Sequence, residues 1–233
     1  SLRSGELKQT GVSAFDRNVL ADAAETLGVG RRYHVLHPAW MFAVTRPCLE
    51  GRAGMDTLGR DHLRYYKWPA PPYEGEWPLP QQYVCARFYH RPTFPLNNDT
   101  VQMATNMIAN ISKRIPMVLL HSPIEADEHV DMPTKGLLND RVIRLSDRFE
   151  MTPENNLAVI LTVLGRAKGF VGTYGGLAQT ALRFGVPSVS FYSDFRNTAI
   201  AHRMLSHTLA AQTNVPFAVL SLHETGMVQQ MLT

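Results

Sequence analysis

The sequence predicts a doubly wound α/β sheet of parallel strands over residues 81–233, on three observations. Short runs that are apolar throughout alternate with stretches of helical period, whereas a strand with one wet face would alternate apolar and polar residues. Glycine and proline punctuate the boundaries, with Pro153 in a helix first turn and Gly172, Gly175 and Gly176 between a strand and a helix. The chain is 45% hydrophobic and 18% charged, which supplies a sizeable core and excludes wholesale disorder.

The elements follow in order. Phe15–Leu27 has helical period and stops at Gly28, and Tyr33–Leu36 reads as a short strand. Residues 63–80 interleave five prolines with Trp68, Trp77 and three tyrosines, the composition of an extended connector packed through rings. Residues 1–80 are therefore expected to be the end of a preceding domain plus a linker. Beyond them come an apolar run Tyr83–Tyr89, a helix Asp99–Arg114 with Met103, Met107, Ile108 and Ile111 on one face, and a strand Pro116–His121. A strand Arg141–Leu145, a helix Pro153–Lys168 and a strand Gly169–Gly172 make the next cycle. Helix Gly175–Phe184, strand Ser188–Tyr192, helix Thr198–Leu209, strand Phe217–Leu220 and a last helix from His223 complete a Rossmann-like order.

Charge and cysteine content narrow the function classes. With 23 Lys+Arg against 20 Asp+Glu the net charge is +3, too small and too dispersed for a nucleic-acid footprint. No apolar run approaches the ~20 residues of a membrane span. Cys48 and Cys85 are far apart and read as reduced thiols. No leader is recognisable and a cytoplasmic setting is expected, although the chain starts like an internal boundary. The loop holding His121, Glu125, Asp127, Glu128, His129 and Asp131 matches no metal-ligand spacing, so no metal is expected.

An open parallel sheet binds ligands beyond the carboxyl ends of its strands. The loop Thr173–Gly176 is the most informative, because Gly175 and Gly176 let backbone N–H groups approach a ligand at a helix N-terminus, which favours a phosphate. The same glycines also suit a tight turn and close helix packing, and composition leaves both readings open. Thr173 is placed to cap that helix or donate a hydroxyl. Arg87 and Arg91 flank the end of the first strand, where a guanidinium would clamp a diphosphate. Arg87 is the stronger candidate, since it interrupts an apolar strand where an unpaired charge is costly. His90 and His121, also at strand ends, are candidate contacts or acid/base groups.

The order YVCARFYHR, PMVLLHS, then MTPENNLAVILTVLGRAKGFVGTYGGLAQTALRFGVPSVSFYSD resembles the C-terminal, donor-binding half of a bacterial GT-B glycosyltransferase. The resemblance implies a sugar donor whose diphosphate lies on Thr173, Tyr174, Gly175 and Gly176, with Arg87 as cationic partner. It implies a nucleobase near Leu145, Ser146 and Arg148, and ribose or sugar contacts from Gln179 and Asp194. No cofactor would be required; the donor is a nucleotide-diphosphate-sugar and the acceptor a saccharide or a lipid-linked one, with peripheral association of the full-length protein at the inner face of the membrane as a further expectation. The paired-glutamate pattern of retaining members is missing. Eighty residues are also too few for a second Rossmann-like half of roughly 100 to 200 residues. The catalytic base therefore stays unassigned, and the chain is expected to bind a nucleotide but turn over little. HPAWMF (His37–Phe42) would be part of the acceptor-side wall. The alternatives are a nucleotide-sugar epimerase of the same fold and a non-catalytic binding module.

Overall fold

The computed structural model describes residues 14–26, 28, 30, 45–57, 65–91, 94–121, 130–133, 136–193 and 197–222, the side chains of 15, 16 and 197–199 excepted. The chain divides into two compact units, Ser1–Gly54 and Met55–Thr233. The first contains helix α1 (Ala14–Thr26), where the helical period predicts it, and one-turn α2 (Arg46–Leu49) with Pro47 in its first turn. The strand expected at Tyr33–Leu36 and the HPAWMF segment lie outside the described residues.

The second unit opens with the short α3 (Met55–Thr57). There follow β1 (Val84–Arg87), β2 (Tyr89–His90), α4 (Asn98–Ser112), β3 (Met117–Leu119), β4 (Val130–Asp131) and β5 (Val142–Arg144). Then come α5 (Asn156–Leu164), β6 (Gly169–Thr173), α6 (Gly176–Arg183), β7 (Ser188–Tyr192), α7 (Asn197–Thr213) and β8 (Phe217–Ser221). Six strands form one sheet in the order β5-β3-β1-β6-β7-β8, every pair parallel. Successive strands step outward from β1 to β5; the chain then returns to β6 beside β1 and steps outward the other way. The fold is a Rossmann-like α/β sheet.

Alternation along each strand divides the core into two layers. Cys85, Val118 and Ile143 face Ile160, Val163 and Leu164 of α5 and Ala178 and Ala181 of α6. Ala86, Leu119 and Val142 face Ala104, Met107 and Ile108 of α4. Burying Met107 and Ile108 contributes about 1.5–3 kcal/mol each. Helix α4 starts at a reciprocal cap, where Asn97 Oδ1 accepts from the Thr100 amide at 3.0 Å and Thr100 Oγ1 accepts from the Asn97 amide at 3.2 Å. Helix α5 begins three residues later than Pro153 suggests. Thr152 and Asn155 bond each other's amides at 2.7 and 3.3 Å through their side chains, which makes a turn ahead of the helix.

The connector segment 65–80 lies within the second unit and packs on its helix ends. The Trp68 amide donates to Arg183 O at 2.6 Å, and the Trp68 ring meets Phe184 edge-on at 5.9 Å. Arg183 lies over the rings of Tyr65 (4.1 Å) and Trp68 (5.1 Å). A Cβ on Gly165 would press on Ala70, so the end of α5 approaches this strap as closely as glycine permits. Among the described residues no helix is long and apolar enough to cross a membrane. The helix expected from His223 lies outside the described residues.

Candidate functional site

The strand order reverses between β1 and β6, so the crevice such a fold offers lies beyond Arg87 and Thr173. The two strands meet closely here, because Arg87 pairs with Gly172 and any Cβ on Gly172 would collide with the Arg87 carbonyl. After Arg87 the chain leaves the sheet. The single run expected over Tyr83–Tyr89 breaks at Phe88, whose carbonyl accepts from the Met132 amide at 2.9 Å, and β2 turns to pair antiparallel with β4.

Beyond that departure the last residue of β6, Thr173, bonds the buried main chain of Tyr89 through its side chain. Thr173 Oγ1 accepts from the Tyr89 amide at 3.1 Å and donates to the Tyr89 carbonyl at 3.2 Å. Thr173 is 1% exposed, and its hydroxyl is engaged within the protein. It does not cap α6: the cap position is Gly175, with no side-chain cap bond. The Tyr89 hydroxyl sits so close over Gly175 that a Cβ there would strike it, whereas a Cβ on Gly176 meets nothing within 4 Å. Gly172 and Gly175 are thus accounted for by packing, and exposed Gly176 opens outward.

Tyr174 turns its hydroxyl onto α7, 3.0 Å from Ser206 Oγ, and also bonds the Gln179 side chain. Its burial pushes the phenol pKa up. Arg87 is the best-defined charged group of the crevice. Its Nε reaches Asp131 Oδ1 at 2.9 Å and its Nη2 reaches Oδ2 at 3.4 Å, with the two side chains 19% and 17% exposed. The charge that interrupts β1 is therefore met by a carboxylate on β4. His121, buried at the end of β3, has its pKa lowered, first by burial and then by Arg87 and Arg144, against a partial rise from Asp131. His90 does not face a ligand through Nδ1, which accepts the Leu96 amide at 2.9 Å.

The remaining expected contacts are dispersed. Arg91 is exposed on the turn after β2, near His202 of α7, whose pKa is lowered by burial and then by Arg91. Leu145 is fully buried in the core, and Ser146 and exposed Arg148 follow β5, the edge strand. Strands β5 and β6 are separated by two others, so these residues stand about 14 Å along the sheet from the glycine turn. Asp194, and Glu125, Asp127, Glu128 and His129 of the acidic loop, lie outside the described residues.

Sequence reasoning did not assign Asp131 to Arg87 or place Tyr89 over Gly175. A lone arginine in an apolar strand does demand an acidic partner, but nothing local selects one 44 residues away. Compared with protein families, curated proteins and solved structures, the chain matches none of them.

Proposed function

We propose that the crevice beyond β1 and β6 binds the diphosphate of a nucleotide-sugar, and that this chain is the donor-binding part of a metal-independent GT-B-type glycosyltransferase acting on a saccharide or lipid-linked acceptor. The observation that carries the reading is the β5-β3-β1-β6-β7-β8 order, which brings the chain's most distinctive loop and the part-buried Arg87 to one switch point. Gly176 offers an open helix N-terminus, and Arg87 an ionised fork beside it on the neighbouring strand. Exposed Arg91 follows β2 at the same end of the sheet. In this reading the leaving diphosphate is stabilised by α6 and by Arg87, whose fork Asp131 shares or yields.

A second reading has its own support. Arg87 and Thr173 have internal partners, and two of the three glycines are explained by contacts within the protein, as expected of a module that keeps the fold without the donor. A thermal-shift screen against UDP, GDP, CDP, ADP and dTDP at millimolar concentration, with calorimetry on any hit, separates the two. A nucleotide that binds the native state raises the melting temperature by mass action. One selective hit supports the donor site; a well-folded chain unmoved by all five supports the module.

A further inference from the structure

We infer a second ligand site on the strap: a groove that takes a neutral oligosaccharide, independent of the nucleotide crevice. The groove holds about 350 Å³ and is lined by Tyr73, Gly75, Trp77, Gln81, Tyr83 and Arg166. It lies beside the amino end of β1 and the turn leading into β6, at the opposite end of these strands from the crevice.

Its walls are preorganised. Trp77 is fixed between Tyr73 (5.1 Å, edge-on), Phe149 (5.8 Å) and Tyr83 (6.5 Å, stacked), and the Arg166 guanidinium lies over its ring at 5.0 Å. Arg166 is anchored by an Nη1 bond to Thr162 O at 2.9 Å, and Tyr83 by a hydroxyl bond to Val163 O at 2.8 Å. Tyr73 nevertheless stays 39% exposed, Gln81 is exposed, and the space around Gly75 is open. A large ring thus remains in solvent beside half-buried Trp77 and Phe149 and buried Tyr83.

The chemistry of the lining selects the ligand. The exposed Tyr73 ring carries partial negative charge on its face and attracts the weakly positive C–H face of a sugar ring. A planar amide and a planar guanidinium offer paired hydrogen bonds of the kind vicinal hydroxyls accept and donate. A cationic ligand is disfavoured because Arg166 already holds the cation position over Trp77. Exposed Glu74 and Glu76 flank Gly75 and disfavour an acidic one.

The test is titration of the full chain with maltohexaose, cellohexaose and chitohexaose, read by tryptophan fluorescence and calorimetry. At least one should bind saturably at millimolar concentration. Tyr73→Ala and Gln81→Ala should each weaken it about tenfold or more, Gln81→Ala with unchanged melting temperature, and both with unchanged response to nucleotides. Failure of all three sugars to saturate, wild-type affinity in Gln81→Ala, or displacement of the sugar by a proline-rich peptide would overturn the assignment.

Discussion

Asp131 occupies the guanidinium that a diphosphate would need, and this makes the Arg87–Asp131 pair the sharpest place to probe the crevice. A ligand phosphate must share or displace that carboxylate. Asp131→Asn, which keeps the shape and removes the charge, should therefore tighten nucleotide diphosphate binding in calorimetry. Arg87→Ala should weaken it by on the order of 2 kcal/mol, the scale of a lost charge-assisted pair. Arg87→Ala also removes the guanidinium from beside a part-buried carboxylate, so its melting temperature should fall, while Asp131→Asn still leaves the arginine one amide oxygen as acceptor. Equal affinity in both variants and the wild type would remove Arg87 from the site. Gly175 gives a second residue-scale test. Gly175→Ala should destabilise through the collision with the Tyr89 hydroxyl, and Tyr89→Phe added to it should restore part of the loss in denaturant unfolding. Gly176→Ala, with open space at its Cβ, should leave stability nearly unchanged.

At the scale of elements, most of what lies past residue 80 was legible in the sequence, because helix and strand periods are local. Strand β7 has the predicted bounds, and α4 is shifted by one or two residues. The two-residue ribbon of β2 and β4 was not legible: such short strands carry no period, and their existence depends on where β1 leaves the sheet. Thr173 marks that point. Thr173→Val should cost on the order of 2 kcal/mol in unfolding free energy by removing the Oγ1 bonds to the buried Tyr89 amide and carbonyl, whereas Thr173→Ser should recover most of it. The strap is another element whose role is spatial. Its prolines and rings announce an extended segment, but its bonds to Arg183 and its packing on Gly165 exist only once α5 and α6 are side by side. A chain beginning at residue 65 should melt cooperatively and at a higher temperature than one beginning at residue 81.

For the whole molecule, buried histidines set the direction of pH dependence. Burial holds the pKa of His121, and of the less buried His202 and His207, below the ordinary 6.5. The unfolded chain therefore binds protons first as the solution is acidified. The stability these neutral rings provide is present above pH ~6.5 and lost as pH falls through their lowered folded values. Melting temperature should drop between neutral and mildly acidic pH, with a smaller slope in His121→Gln; a rise over that range would contradict the burial.

The order of strands is the largest feature that periodicity does not carry, since any right-handed winding of the same elements would read alike. It is also what joins Arg87 to the Thr173–Gly176 loop and makes a single site of them. The most direct measurement is amide hydrogen exchange of the full chain with and without the nucleotide diphosphate that gives the largest thermal shift. Ligand-dependent protection should centre on residues 87–91 and 173–179. Protection confined to the strap or to α5, with those two segments unchanged, would contradict the placement of the donor site at the switch point.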